Sequence, residues 1–217
     1  MLPIEPSSDV GSARITSLDL SGGLAPEQFG HVHTASHRHC FVLFPPPSLS
    51  PQPFTPLSLH QGLAQPPVID TFHHPQDPNI LILSNVRRNG KPIGLLEAGT
   101  YFHTDYSYLA VPARCTMLHA IQMPRARSGT TFANQTLAYA DLPSDMRTRN
   151  EDLVVRHNYG NRDDLNEQSR TVASVLDERQ KKKVNWVRHR LVRPHPHTGV
   201  KSLYAVSGSS FGIDGMD

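Results

Sequence analysis

Cysteine is scarce in this chain, and no long hydrophobic run occurs. Two cysteines among 217 residues are too few for a disulfide framework. Cys40 and Cys115 each lie in a short apolar run, so we expect two small buried residues in a reducing compartment. No apolar stretch reaches the length of a membrane span, and no charged-then-apolar leader opens the sequence. These features predict a cytoplasmic protein with no membrane partner.

Net charge is also low. The 21 Lys and Arg residues nearly balance the 19 Asp and Glu residues, and a formal charge of +2 is too small to predict nucleic acid as a partner. Proline and glycine, in contrast, are plentiful, with 19 and 14 residues. They favour short strands and many turns over a helical bundle.

The length of the chain is sufficient for one domain with its own core. Residues 1–23 are rich in Ser, Gly and Pro and predict a loosely ordered lead-in, followed by a single domain over 24–217. A helix is expected from Pro26 to about His37, because proline and the following glutamate suit a first helical turn. The proline-rich stretch 45–67 predicts a short or broken helix.

Runs of apolar residues predict strands at 40–44, 80–86, 116–121, 130–132, 186–192 and 203–206. Asn89-Gly90 predicts a hairpin turn, and His197-Thr198-Gly199 a second turn. Further helices are expected over 135–140 and from Pro143 to about Leu153. Residues 160–183 are polar and predict a partly helical insertion.

The most informative segment is 101–108, with the sequence YFHTDYSY. His103 and Asp105 supply an imidazole nitrogen and a carboxylate oxygen two residues apart, and on a strand both side chains would point to one face. With a second histidine from elsewhere, they are the ligands of the facial triad that holds non-haem Fe(II). The motif alone is a weak signal in a chain with 13 histidines. The alternative is a strand histidine beside a solvated aspartate.

Three blocks surround this motif in a fixed order. They read PNILILSNVRRNGKPIG at 78–94, GTTFANQTLAYADLP at 129–143 and HRLVRPHPHTGVKSLYAV at 189–206. Together with the motif they resemble the TauD/TfdA family of Fe(II)- and 2-oxoglutarate-dependent dioxygenases, from about Leu24 to the last residue. The resemblance implies a mainly β protein with flanking helices around a double-stranded β-helix, a jelly-roll and cupin-like core.

The resemblance also implies site residues and cofactors. His103 and Asp105 match the first two iron ligands of the catalytic centre. Thr131 matches the threonine that hydrogen-bonds the distal carboxylate of the co-substrate, 2-oxoglutarate. Thr130 is a competing assignment; we prefer Thr131 because Gly129-x-Thr131-Phe132 keeps the family order of glycine, threonine and an apolar residue. The implied reaction uses O2 to hydroxylate a small, anionic organic substrate, with succinate and CO2 as co-products. The substrate-binding residues are unknown, and a homo-oligomer is possible.

Two parts of the family pattern are not identified: a second iron-binding histidine and an arginine that pairs with 2-oxoglutarate. Both lie far towards the C-terminus in family members, whereas the match here runs through Met216 and stops. We therefore expect a chain that lacks a C-terminal portion of the jelly roll and is not an efficient oxygenase by itself. His189, His195 and His197 are weaker candidates for the third ligand, since their block lies outside the family iron site.

Three alternatives stay open at this point. The chain is either such a dioxygenase, an inactive fragment or pseudoenzyme with only a binding role, or a cupin-like metal hydrolase or isomerase that consumes no 2-oxoglutarate. A separate feature is the group His31, His33, His37 and His39. His33 and His37 have the i, i+4 spacing that can bind zinc, although an ordinary amphipathic surface helix is the interpretation that we favour.

Overall fold

The computed structural model describes all residues except 1, 46–50, 69, 97, 100, 126–128, 160–175, 207 and 217, and the side chains of 51–53. Most of the predicted insertion therefore lies outside the described residues. The chain divides into two compact units, each made of three segments. Unit 1 contains Met1–Ala64, Arg114–Leu142 and Pro194–Ser202, and unit 2 contains Gln65–Ala113, Pro143–Arg193 and Leu203–Asp217. The single domain over 24–217 stays a prediction.

The described elements are short strands and a few helices. In chain order they are β1 (Ile4–Ser8), β2 (Ser12–Ile15), α1 (Pro26–His39), β3 (Val42–Leu43), α2 (Pro51–Leu59), β4 (His73–His74), β5 (Asp77–Leu81), β6 (Arg87–Arg88), β7 (Lys91–Pro92), α3 (Gln135–Ala140), α4 (Ser144–Asn150), β8 (Val154–His157), α5 (Glu178–Lys181), β9 (Val187–Arg190), β10 (Val192–Pro194), β11 (Lys201–Leu203) and β12 (Ser210–Ile213). Over these residues, none of the helices is long and apolar enough to cross a membrane.

Unit 1 packs α1 against a three-stranded sheet. In that sheet β2 pairs with β1 in antiparallel and with β3 in parallel orientation. The helix begins as the sequence predicts, with Pro26 in its first turn and the Gln28 side chain accepting a hydrogen bond from the Ala25 amide at 2.9 Å. Its apolar face buries Val32 and Ala35 against Ile15. The prediction of a helix near Pro26–His37 is confirmed.

The N-terminal residues differ from the expectation of a loose lead-in. β1 and β2 form a hairpin there, and Ala13 and Ile15 are fully buried. The alternation that orders this hairpin spans only four residues of β2, too few to be distinguished from chance in the sequence. Burial under α1 supplies the stability that local propensity does not.

Unit 2 centres on the antiparallel sheet β12-β8-β9. In it β8 is the middle strand, and Val155 is almost fully buried. Two smaller antiparallel pairs, β4-β5 and β6-β7, complete the described strands that lie wholly in this unit. The β6-β7 pair is the predicted Asn-Gly hairpin, in which Asn89 and Gly90 have φ angles of 50° and 75°, as that turn requires. A further hairpin joins β10 and β11 around the predicted turn at His197.

Several apolar runs do not form the predicted strands. Residues 116–121 and 130–132, all described, have no regular secondary structure. Leu118 and Ile121 are 66% and 82% exposed. Strand formation requires a neighbouring strand as well as apolar residues, and neither run pairs with one. Cys40 and Cys115 are likewise exposed rather than buried, because Cys40 ends α1 with a φ of 64° and Cys115 lies in the irregular part of unit 1.

Of the strands predicted at 80–86 and 203–206, only residues 80–81 and 203 lie in β5 and β11, whereas the predicted helices are present with shifted bounds. α3 is confirmed, with the Asn134 side chain accepting from the Thr136 amide at 2.9 Å. α4 follows Pro143 but ends at Asn150. The proline-rich region contains the nine-residue α2, with Pro56 inside it; Pro56 lacks the amide hydrogen that this position of a helix normally donates.

Gly94 lies at a close approach between two backbone segments of unit 2. The Leu95 amide donates to the Ile82 carbonyl at 2.8 Å, and the Ser84 amide donates to the Leu95 carbonyl at 3.0 Å. A Cβ atom on Gly94 would lie 2.7 Å from that Ile82 oxygen, closer than real Cβ contacts allow. This pairing leads the chain from the β6-β7 hairpin towards His103.

We expect Gly94→Ala to lower the free energy of unfolding by about 1–3 kcal/mol, because the new methyl group meets backbone that has no room to move. Gly30→Ala is the control. Gly30 lies inside α1 with open space around it, so alanine should stabilise the protein by about 0.5–1 kcal/mol. Urea denaturation measures both changes. Equal stability of Gly94→Ala and the unmodified protein would contradict the close approach.

Candidate active site

His103 and Asp105 lie in unit 2 on an irregular segment, not on the predicted strand. Residues 102–104 have no ladder hydrogen bonds, and 105–108 form a turn. Tyr106 adopts a φ of 59°, which is uncommon for a residue other than glycine, and the Leu109 amide donates to its carbonyl at 2.9 Å. The strand prediction is therefore wrong here. A turn, rather than the alternation of a strand, brings the two side chains to one side.

The polar ends of the two side chains converge. His103 Nε2 and Asp105 Oδ1 are 3.4 Å apart, and the side chains are 35% and 40% exposed. Two ligand atoms each about 2.1 Å from one metal and at a right angle to each other are about 3 Å apart. The pair thus fits two neighbouring positions around a divalent metal, with solvent access on the open side.

A backbone carbonyl fixes which nitrogen of His103 faces Asp105. His103 Nδ1 lies 2.9 Å from the Tyr101 carbonyl oxygen. Because a carbonyl oxygen only accepts, Nδ1 carries a hydrogen, and the neutral ring keeps its lone pair on Nε2. The hydrogen bond with Asp105 raises the pKa of His103, and burial opposes this effect. A metal ion bound between the two groups would take the place of that shared proton.

The backbone at Gly99 lies close to the His103 ring. Its φ is +72°, and a Cβ atom there would lie 3.0 Å from His103 Cε1, the carbon between the two ring nitrogens. Sequence reasoning did not anticipate this contact, although a glycine four residues before the histidine is a visible signal for a close approach.

The turn that carries Asp105 is anchored at its C-terminal end. Ser107 is fully buried, and Tyr108 packs on Tyr159 with ring centroids 4.6 Å apart. Burial also raises the pKa of Tyr106 to about 12. At the end of the turn, His189 Nε2 donates to the Leu109 carbonyl at 3.0 Å. His189 thus makes a structural hydrogen bond through Nε2, and the expectation that it is not an iron ligand stays a prediction.

Thr131 lies in unit 1, exposed and without regular secondary structure. The neighbouring Phe132 stacks on Phe41 with ring centroids 4.1 Å apart, which holds this stretch of chain. Thr130 is exposed as well. The assignment of Thr131 to 2-oxoglutarate, and its preference over Thr130, stays a prediction.

The chain matches known proteins over its whole length. The family model described as "Taurine catabolism dioxygenase TauD, TfdA family" matches residues 3–217. The chain belongs to the TauD/TfdA family. It is therefore an enzyme of the 2-oxoglutarate-dependent dioxygenase class, as the sequence predicts.

Individual relatives are distant. Pentalenolactone F synthase from Streptomyces avermitilis is 27% identical over 92% of this chain and 69% of its own length. A Burkholderia xenovorans protein, assigned as an alpha-ketoglutarate-dependent 2,4-D dioxygenase, superposes with a TM-score of 0.72 and 23% identity, over 100% of this chain and 74% of its own. AAD-2, solved with Mn(II) and N-oxalylglycine, gives a TM-score of 0.67 and 20% identity, over 100% and 73%. These structures show that the fold is that of TauD-like dioxygenases.

Metal affinity of this TauD/TfdA protein should depend on Gly99. We expect Gly99→Ala to weaken Mn(II) binding on the order of tenfold, because the methyl group pushes the His103 ring away from Asp105. Gly90→Ala is a matched control: Gly90 has a φ of +75° but open space around it. Isothermal titration calorimetry under anaerobic conditions measures both. A loss of affinity that is equal in the two variants would show backbone strain rather than ring displacement.

A second expectation distinguishes His103 from His189, two of the histidines of unit 2. His189→Gln keeps a donor for the Leu109 carbonyl and should leave Mn(II) affinity unchanged, whereas His103→Gln should abolish tight binding. The same calorimetric titration compares them. Loss of the metal in His189→Gln, with its fold intact by circular dichroism, would make His189 a ligand.

Proposed function

We propose that this chain binds Fe(II) and 2-oxoglutarate and hydroxylates a small, anionic organic substrate with O2, on a jelly-roll core. In this proposal His103 and Asp105 hold the iron, and the Thr131 hydroxyl donates to the distal carboxylate of 2-oxoglutarate. The observation that carries the proposal is the 3.4 Å convergence of His103 Nε2 and Asp105 Oδ1 inside a whole-chain family match. A nitrogen and an oxygen donor on neighbouring positions suit non-haem iron.

The residues of the site have separate tasks. The Tyr101 carbonyl keeps His103 in the tautomer whose Nε2 is a ligand. Asp105 supplies negative charge that balances the divalent cation. Burial and the nearby charge of Asp105 raise the pKa of Tyr106 to about 12, so its hydroxyl is not a source of negative charge at physiological pH. When bound, the iron supplies the redox chemistry that couples decarboxylation of 2-oxoglutarate, to succinate and CO2, with oxidation of the substrate.

The substrate class rests on the names of the matches. The family is named for taurine, a sulfonate, and one structural neighbour is assigned to 2,4-D, a carboxylate. An anionic group is the feature that the two compounds share. Taurine and 2,4-D are accordingly the first compounds to assay, with O2, Fe(II), ascorbate and 2-oxoglutarate. Succinate release that rises with one of them supports a dioxygenase, and substrate turnover without succinate would favour a cupin-like hydrolase or isomerase.

Removal of the Thr131 hydroxyl should weaken 2-oxoglutarate binding. A charge-assisted hydrogen bond contributes about 1.5–3 kcal/mol, so we expect Thr131→Val to raise the Kd of 2-oxoglutarate roughly tenfold or more. Thr131→Ser keeps the hydroxyl and should bind nearly as well as the unmodified protein. Calorimetric titration of 2-oxoglutarate into the Mn(II)-loaded protein measures all of them.

Thr130→Val is the control for this assignment, since Thr130 is the adjacent exposed hydroxyl. It should leave the Kd unchanged. If Thr130→Val weakens binding and Thr131→Val does not, the family pattern is shifted by one residue in this chain.

A further inference from the structure

A second cluster of metal-binding side chains lies in unit 1, away in sequence from the H-x-D motif. His33, His37 and His197 each offer a donor atom, and these atoms all lie within 4.8 Å of one another. The ring centroids of His33 and His37 are 4.1 Å apart, and those of His37 and His197 are 4.6 Å apart. Among the described residues, this is the group of three His, Cys, Asp or Glu side chains whose geometry suits a metal.

Local structure holds all three histidines in place. His33 and His37 are one turn apart on α1, so their side chains share a face. His197 is presented by the turn between β10 and β11. In this turn His195 Nδ1 accepts from the amides of His197 and Thr198 at 3.3 Å each, and the Gly199 amide donates to the His195 carbonyl at 2.8 Å. A cluster built on a helix and a tight turn is preorganised for a ligand.

The environment favours the neutral form of the His33 and His37 imidazoles. Burial lowers the pKa of His37 to about 4, and the neighbouring histidines and Arg114 further disfavour its protonated form. Burial and the nearby Arg114 also lower the pKa of His33. The neutral imidazole is the form that binds metals, so a metal does not have to compete with a protonated ring at His33 or His37 at neutral pH.

We propose that His33, His37 and His197 form a binding site for a divalent transition metal of the zinc class, distinct from the His103–Asp105 site. Three imidazole nitrogens with no carboxylate suit Zn²⁺, and they leave a fourth tetrahedral position for water or another ligand. The ion would tie α1 to the β10–β11 turn within unit 1 and thereby stabilise that unit.

Arg114 competes with the metal at this site. One of its guanidinium nitrogens donates to His33 Nε2, and another donates to the Gln61 carbonyl at 3.2 Å. A metal bound through His33 has either to displace this guanidinium or to use the other ring nitrogen. In both cases a fixed positive charge lies beside the cation. Removal of Arg114 should therefore strengthen metal binding, which a purely structural histidine cluster would not show.

The test uses Zn²⁺ as the probe and a double variant, His103→Ala with Asp105→Ala, that removes the other site. Equilibrium dialysis in a chelator-free buffer should find one Zn²⁺ per chain in this background. Adding His37→Gln or His197→Gln should weaken binding at least about 100-fold, since loss of a ligand exceeds the effect of an outer-shell change. Adding Arg114→Ala should strengthen binding. His31→Gln, on the same helix, is the matched control and should change nothing.

Thermal unfolding supplies a second readout. Zn²⁺ should raise the Tm of the background protein and have no such effect once His197 is replaced. His197 is exposed on a turn, so its substitution tests the ligand without disturbing the core. The proposal is overturned if the background protein binds no Zn²⁺, or if His37→Gln and His197→Gln both bind it with unchanged affinity.

Discussion

The hydrogen bond from His103 Nδ1 to the Tyr101 carbonyl determines what the H-x-D segment can do. It fixes the tautomer, and it points Nε2 at Asp105, 3.4 Å away. The bond joins residues two positions apart on an irregular stretch that leads directly into the turn at 105–108. Gly99 leaves room for the ring against the backbone, and the buried Ser107 and the partly buried Tyr108 anchor the turn that carries Asp105. The chemistry of the site thus depends on local backbone geometry more than on any sheet.

Local signals in the sequence predicted the elements that local interactions stabilise. Proline at the start of α1 and Asn89-Gly90 in the β6-β7 hairpin each specify a conformation within a few residues. The strands predicted at 116–121 and 130–132 do not form. A strand requires a neighbouring strand to pair with, and hydrophobicity alone does not identify one. The opposite error occurred at β1 and β2, where burial under α1 orders residues with a weak pattern.

The candidate sites were predictable to different degrees. The H-x-D motif and the family resemblance predicted that His103 and Asp105 act together. The sequence did not predict the turn that brings them together or the close approach of Gly99 to the His103 ring. In unit 1 the i, i+4 spacing of His33 and His37 was visible as well. The third member, His197, lies 160 positions further along the chain, and only the folded structure brings it to them. Sequence spacing detects neighbours on one element and misses those on two.

The most direct test is a crystal structure of the protein grown anaerobically with Mn(II) and N-oxalylglycine, the ligands present in AAD-2. Anomalous scattering from manganese locates the ion independently of any assumed site. The expected result is a peak at bonding distance, about 2.2 Å, from both His103 Nε2 and Asp105 Oδ1, with the distal carboxylate of N-oxalylglycine at the Thr131 hydroxyl. A manganese peak that contacts neither His103 nor Asp105 would contradict the proposed active site.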